Sequence, residues 1–435
     1  GCDKNMPGCL IGMMRVNRPG YIIYGGSSPP GVYNNQKVDV VNAFQSYGQY
    51  QSGEIDLEQR NDIVKSCCPG SGSCGGMYTA NTMAVALEAM GMSQPYDSSN
   101  PALSNPKLNQ CKSAGDIIYN LLVNDIRPSD IINERSLTNA IKAGIALGGS
   151  TNMVLHILAI AKTLDIDIHQ EDFNNIGDMV PVIGNMKPFG SYLMNDLHHV
   201  GGTPLVLKFL MEENIINGSI DTIMCQTLEN SLSDVSTDKL RDIVSEKNSH
   251  IQNILRVNNP IKKDSHIRIF KGNIAPNGAV GKITGKEGHF FRGRAMVFDS
   301  EQEFMDYISQ DLNQQYLQST KDKLVMVIRY VGPKGGPGMP EMLNPTAAIV
   351  GLGIEHRVAL ITDGRFSGGS HGFIIGHITP EAYVGGEIAY VRNNDIIEID
   401  AENYTINTIN ISKGDLKNRD DYQKARTNFK YNQEK

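Results

Sequence analysis

The chain has 435 residues, 40% of them hydrophobic and 20% charged, which describes a globular protein with core enough for two or three domains. Its formal charge of −7, from 47 acidic and 40 basic side chains, leaves no basic field for nucleic acid. No window approaches the roughly 18 consecutive apolar residues of a membrane span, and the richest stretch, Met153 to Ala161, is interrupted by His156.

Seven cysteines in a chain of this length are too few and too scattered for a disulfide framework, and no Cys-x-x-Cys pair suggests a zinc ribbon. The opening Gly1-Cys2-Asp3-Lys4 reads like the middle of a motif, so we take the chain as a fragment or a processed form.

Taken in chain order, the first half reads as α/β. Tyr21 to Tyr24 has the composition of a short strand, and helical periodicity runs over Thr82–Met90, Ala114–Val123 and Asn152–Leu164. Ser150 or Thr151 is placed to cap the last helix. Between about 231 and 259 the chain turns polar and charged and ends at Pro260, which sets the domain boundary. We therefore read 1–245 as an α/β domain, 260–412 as a second domain and 413–435 as a charged tail.

Strand-like runs dominate the second half: 266–270, 295–298, 324–330, 357–362, 387–391 and 396–400, with Asn393-Asn394 as a hairpin turn between the last two. One helix interrupts, opened by the capping box Ser300-Glu301-Gln302-Glu303. Many short strands with Gly-rich turns favour a β-barrel or sandwich.

Five islands combine glycine with reactive side chains. Cys2-Asp3-Lys4 places a soft donor beside a hard one, suited to two unlike metals, or is a surface turn with a chance cysteine. Cys68 to Met77 runs through Gly-rich sequence and Cys74 into a helix, so that its amides face a thiolate or anion, unless Cys74 merely packs in a tight helix entry. Gly148-Gly149-Ser150-Thr151-Asn152 fits either a carboxylate or phosphate site or a close helix crossing.

The Gly332 to Met342 stretch lacks the Gly-Lys-Ser/Thr ending of a P-loop and reads as a rigid loop presenting Glu341. The fifth island, Thr362 to Gly372, follows an apolar strand and carries Asp363, Arg365, Ser367 and His371 at its C-terminal end. It is not the Gly-x-Ser-x-Gly elbow of a serine hydrolase, and His371 is placed as a structural hydrogen-bonder.

Together these islands resemble the dihydroxy-acid dehydratase/phosphogluconate dehydratase family. The resemblance rests on CDKNMPGCLIG at 2–12, CGGMYTANTM at 74–83, GGSTN at 148–152, GNIAPNGAV at 272–280, ALITDGRFSGGS at 359–370 and HGFIIGHITPEA at 371–382. The branch acting on 2,3-dihydroxy branched acids in valine and isoleucine synthesis is the nearer one, and no added Arg and Lys cluster suits a phosphorylated sugar acid. A sugar-acid or 6-phosphogluconate dehydratase, and a truncated inactive chain that only binds partners or dimerises, are the competing readings.

The resemblance implies an α/β N-terminal domain, a β-barrel C-terminal domain with the active site between them, and a homodimer. It implies cluster thiolates at Cys2 and Cys74, as a [2Fe–2S] or [4Fe–4S] centre, and Mg²⁺ held by Asp3, Glu341 and Lys4, the lysine as a carbamate. Ser367 is implied as the base. The substrate is a small dihydroxy acid, with neither nucleic acid nor membrane as partner. The compartment is cytoplasmic in a bacterium and the mitochondrial or plastid matrix in a eukaryote.

Family members also carry a segment before Cys-Asp-Lys with one more cluster cysteine and one more acidic ligand, which the sequence lacks upstream of Cys2. Nothing shows that Cys9, Cys67 or Cys68 substitutes. These 435 residues alone are therefore expected to bind the cluster poorly, and iron and sulfide analysis checks this.

Overall fold

The computed structural model describes residues 4–51, 53–242, 249–285, 288–367 and 372–409. The chain divides into two compact units. Unit 1 comprises Gly1–Asn42 with Asn61–His266, and unit 2 comprises Ala43–Arg60 with Ile267–Lys435. The segment 43–60, placed by sequence in the first domain, thus clusters with the second unit. Residues from the polar stretch and just beyond it pack back into unit 1, where Leu255 bridges to Gly184 and Lys262 to Val182. The charged tail, 413–435, lies outside the described residues.

Unit 1 is mainly helical. Its only sheet among the described residues is the hairpin of β1 (Gly31–Tyr33) and β2 (Gln36–Val38). At its centre lies the helix Thr79–Ala89, every residue of which is buried; its Ala, Met, Val and Leu side chains pack, while Thr79, Asn81, Thr82 and Glu88 are paired by hydrogen bonds. The helices Glu134–Ala146, Asn152–Thr163 and Asn5–Val16 pack on it. The helix at Ala114–Val123 forms as its periodicity predicts.

Tyr21 to Tyr24 is not a strand. The Tyr24 amide donates to Asp97 Oδ2 at 2.8 Å and the Ile22 amide to the Met92 carbonyl, so the backbone groups a sheet would need are already used.

One buried carboxylate in unit 1 has a pH consequence. Glu88, 2% exposed, accepts from the amides of Tyr96 and Ser98 and from the Ser98 hydroxyl. Burial outweighs those bonds and raises its pKa from 4.5 to about 7. The folded chain therefore holds this proton more tightly than the unfolded one. The stability Glu88 contributes is fully present below about pH 4.5 and declines as pH rises toward 7. Glu88→Gln, which cannot titrate, is expected to flatten the dependence of Tm on pH between 5 and 7. An unchanged slope in thermal melts would contradict the assignment.

Unit 2 carries an eight-stranded mixed sheet of β3 (Ile267–Phe270), β4 (Gly278–Lys282), β5 (Phe290–Phe298), β6 (Leu324–Ile328), β8 (Val358–Thr362), β10 (Ile374–Thr379), β11 (Ile396–Asp400) and β12 (Thr405–Thr408). The two short strands β7 (Glu341–Met342) and β9 (Arg365–Phe366) form a separate ladder.

The spatial order is β12-β11-β5-β6-β8-β10-β4-β3. The free edges nearly meet: Lys271, just after β3, bridges Thr405 of β12, its amide donating to Tyr404 O and its carbonyl accepting from Ile406. The result is close to the expected barrel, but not an antiparallel one. β5–β6, β6–β8 and β8–β10 run parallel, and helices Glu301–Ile308, Asp311–Ser319 and Asn344–Gly351 fall between the first three of those strands.

This topology explains the unbroken apolar runs LVMVI and VALIT, which are buried on both faces. Val325, Val327, Ala359 and Ile361 fill the interior, whereas Leu324, Met326, Ile328, Val358 and Leu360 pack outward with Phe304, Ile308, Leu317 and Ile349. Half of the expected capping box forms: Ser300 Oγ accepts from the Glu303 amide at 3.0 Å, but Glu303 Oε2 accepts from the amide of Asp299, one residue before the cap, and not from that of Ser300.

The expected strand at 387–391 is a 3₁₀ helix, Glu387–Tyr390. The Arg329 guanidinium takes the carbonyls of Ala389 and Val391 at 2.6 and 3.0 Å, which a strand partner would otherwise need. The turn at Asn393-Asn394, with Asn394 left-handed at φ 73°, therefore connects this helix to β11 and is not a hairpin between two strands.

Candidate active site

The parallel strands β6 and β8 deliver two loops at their C-terminal ends, and these loops meet as the β7–β9 ladder. Glu341 pairs in register with Arg365, and Met342 with Phe366. The Ser367 amide continues the ladder by donating to Met342 O at 3.0 Å. Met342 and Phe366 bury themselves in the outer core. Strand alternation then puts Glu341, Arg365 and Ser367 on the opposite face. Glu341 and Ser367, 26 residues apart, share one surface. Both are half-buried.

Beside them Arg365, 1% exposed, donates from Nε to Met339 O at 2.6 Å and places Nη1 3.6 Å from Glu341 Oε1.

Two internal carboxylates hold the loop that carries Glu341. Asp363, at the end of β8, accepts from the amides of Tyr330 and Val331 at 3.1 Å and of Ala382 at 2.8 Å. Burial raises its pKa from 3.8 to about 6, against the lowering effect of those three bonds. Glu381 accepts from the amides of Lys334 and Gly335 at 2.9–3.0 Å. The Gly-rich loop thus spends these amides on the protein's own carboxylates, as a rigid presenting loop does and a phosphate loop does not. Sequence reading gave Glu381 no role; nothing local marks it, since its partners lie 46 and 47 residues away.

In unit 1, Cys74 sits half-exposed in the loop leading to the Thr79–Ala89 helix. The loop is tethered on every side. Ser73 exchanges backbone bonds with Gly26 and Ser28, Gly75 O accepts from Met194, and the Met77 amide donates to Lys187 O at 2.7 Å. From the helix, Asn81 Nδ2 donates to the carbonyls of Cys74 and Gly76 at 2.7 and 2.6 Å, while its Oδ1 accepts from Tyr24.

The Gly148–Asn152 motif supports the same helix. The Ser150 amide donates to Thr82 Oγ1, Asn152 Nδ2 donates to Thr79 Oγ1, and Ser150 and Thr79 share a hydroxyl bond, all at 3.0 Å. A side chain at Gly149 would meet Gly144 O at 2.8 Å and Thr82 Cγ2 at 2.9 Å. Of the two alternatives this motif left open, the close helix crossing is the one observed. The helix Asn152–Thr163 begins after Thr151, and Ser150 Oγ accepts from the Asn152 amide.

Lys4 stands exposed as the N-cap residue of the Asn5–Val16 helix, which packs against Thr79–Ala89. Cys2, Asp3 and His371 lie outside the described residues. Among the other cysteines, Cys9 and Cys68 are exposed and Cys67 is buried.

A second group near Cys74 went unread in the sequence. Asp39, 3% exposed, accepts from the Tyr78 hydroxyl at 3.1 Å and pairs with Lys187 Nζ at 3.2 Å. Burial, then the charge of Asp39, pushes the Tyr78 hydroxyl well above its ordinary pKa, and the same two causes push Cys68 up. The spacing Asp39-x-x-Asn42 ahead of an apolar run is a helix-cap signal that marks Asp39 as a cap but not its partners.

Comparison with known proteins places most of the chain in one family. Residues 1–231 match the family model for the dihydroxy-acid/6-phosphogluconate dehydratase N-terminal region, and residues 252–435 match that for the C-terminal region. The chain belongs to this dehydratase family. Among its curated relatives, the dihydroxy-acid dehydratase of Francisella tularensis subsp. novicida is 51% identical over 407 residues, covering 94% of this chain and 70% of the relative. That of Lactococcus lactis subsp. lactis is 49% identical over 426 residues, 98% of this chain and 72% of the relative. The chloroplastic dihydroxy-acid dehydratase of Arabidopsis thaliana is 49% identical over 409 residues, 94% of this chain and 65% of the relative.

The donors suit the family's expected metal groups in kind: a half-exposed thiol in a fixed loop for a soft centre, and the half-buried Glu341 carboxylate for a hard cation. Among the described residues no three His, Cys, Asp or Glu side chains gather as a complete metal site. The expected ligand sets run through Cys2 and Asp3. No helix among the described residues is long and apolar enough to cross a membrane.

Proposed function

We propose that the chain is a hydro-lyase converting 2,3-dihydroxy branched carboxylic acids, such as 2,3-dihydroxy-3-methylbutanoate and 2,3-dihydroxy-3-methylpentanoate, to 2-oxo acids in valine and isoleucine biosynthesis. The observation that carries the reading is the β7–β9 ladder, which sets Glu341 and Ser367 on one face beside Arg365 in a chain matching both halves of a dehydratase family.

In this reading Ser367, whose backbone is held by its ladder bond to Met342, takes the C2 proton. Glu341 supplies an oxygen ligand for Mg²⁺ together with Asp3 and Lys4. As an ammonium Lys4 would repel the cation; as a carbamate formed with CO₂ it offers a hard oxygen. Cys74 and Cys2 supply thiolates to the iron–sulfur cluster. When bound, these groups supply Lewis acidity for the departing C3 hydroxyl and neutralise charge that builds beside the substrate carboxylate. Loss of the C2 proton and the C3 hydroxide leaves an enol, whose ketonisation adds a proton at C3 and yields the 2-oxo acid. The working form is a homodimer.

The test is a 2-oxo acid assay of the holoprotein with 2,3-dihydroxy-3-methylbutanoate, gluconate and 6-phosphogluconate. The branched acid is expected to turn over fastest. Faster turnover of either sugar acid would move the assignment to the other branch, and no turnover of any would reject it.

A further inference from the structure

The Cys74 loop is braced by a buried polar group that the ligand assignment does not use. Tyr78 lies four residues after Cys74, 7% exposed, and its ring covers Gly76 so closely that a Cβ there would sit 2.5 Å from Cζ. Gly76 therefore has to be glycine for the ring to lie against the loop. The hydroxyl reaches Asp39, whose carboxylate is itself fixed by the amide of Val41 at 2.9 Å, by that of Asn42 at 3.4 Å and by Lys187 Nζ. Lys187 closes the brace, because its carbonyl accepts from the Met77 amide while its ammonium holds Asp39. Three separate segments, 39–42, 77–78 and 187, are thereby cross-linked beside the loop that carries Cys74.

We propose that Tyr78, backed by Asp39 and Lys187, is a positioning residue that holds the Cys74 loop in the conformation from which its thiol ligates. The proposal deepens the function proposed above and rests on Cys74 being a cluster ligand. The physical reason is rigidity. A thiolate on a Gly-rich loop samples many directions unless ring packing and a charged hydrogen bond restrict it. Losing one hydrogen bond to a buried carboxylate shifts a local opening equilibrium by about tenfold.

Two readouts on Tyr78→Phe, which keeps the ring and removes the hydroxyl, test this. In the full-length chain freed of metal, alkylation of Cys74 by iodoacetamide, followed by peptide mass, is expected to run about tenfold faster than in the wild type. In the holoprotein, cluster release to an iron chelator is expected to quicken likewise, with a broadened EPR signal from the reduced cluster. Lys187→Arg, which keeps a cation beside Asp39, is expected to stay near wild type, while Lys187→Met follows Tyr78→Phe.

Ser98→Ala serves as a stability control, since Ser98 bonds to Glu88 and Thr203 and touches none of this group. If Ser98→Ala accelerates alkylation as much as Tyr78→Phe does, or if Tyr78→Phe alkylates and releases its cluster at wild-type rates, the proposal is overturned. Where the wild-type chain binds no cluster, as expected of these 435 residues alone, the alkylation rates of Cys74 decide the brace.

Discussion

Ser367→Ala is expected to lower kcat by about 10²–10⁴-fold, the usual contribution of a positioned base. The loss should fall on kcat, with little change in melting temperature or metal content. The Ser367 amide, not its hydroxyl, makes the ladder bond to Met342, so alanine keeps the backbone in place. The side chain is half-buried at the end of a two-stranded ladder, and removing one oxygen there leaves no large cavity. Steady-state kinetics with thermal melts and metal analysis separate the outcomes. A variant that keeps the wild-type rate with intact metal content would remove Ser367 from the chemistry.

Asp363→Ala is expected to cost more stability than any other single substitution in this loop, and to abolish turnover with it. Its carboxylate is the acceptor for three amides, those of Tyr330, Val331 and Ala382. Each amide left unpaired in the interior costs roughly 1–3 kcal/mol, so the total for three is on the order of 3–9 kcal/mol. Two of the three begin the loop that presents Glu341, and loosening them releases that carboxylate from its register with Arg365. Asp363→Asn keeps one acceptor oxygen and should fall between alanine and wild type. Urea unfolding and kcat measured on both variants check the order. If Asp363→Ala unfolded at the wild-type midpoint, the loop would owe its shape to other contacts.

The parts of this molecule that declare themselves in sequence are those whose physics is local. The helix at 114–123 follows from its apolar spacing, and LVMVI and VALIT announce strands buried on both faces. The Ser300 cap is local in the same way. What the sequence hides depends on distant partners. The run 387–391 has strand composition, but Arg329, some 60 residues earlier, takes its carbonyls. Tyr24 looks like a strand residue, yet its amide belongs to Asp97.

The same distinction holds at the candidate site. Motif resemblance singles out Cys74, Lys4, Glu341 and Ser367, whereas Glu381 and Lys187 work through contacts across tens to more than a hundred residues and carry no local mark, and the cap signal at Asp39 does not disclose its distant partners. The parallel strands are a further example, because direction within a sheet is set by the crossover helices and not by the strands' own residues.

The most direct test is to run the holoprotein in D₂O on 2,3-dihydroxy-3-methylbutanoate and examine the product by NMR and mass spectrometry. Proton removal by Ser367 beside Glu341 predicts a 2-oxo acid carrying one deuterium at C3 and no hydrogen at C2, formed by the wild type but not by Glu341→Ala. Product without solvent deuterium at C3, or undiminished turnover by a folded Glu341→Ala variant, would contradict the account.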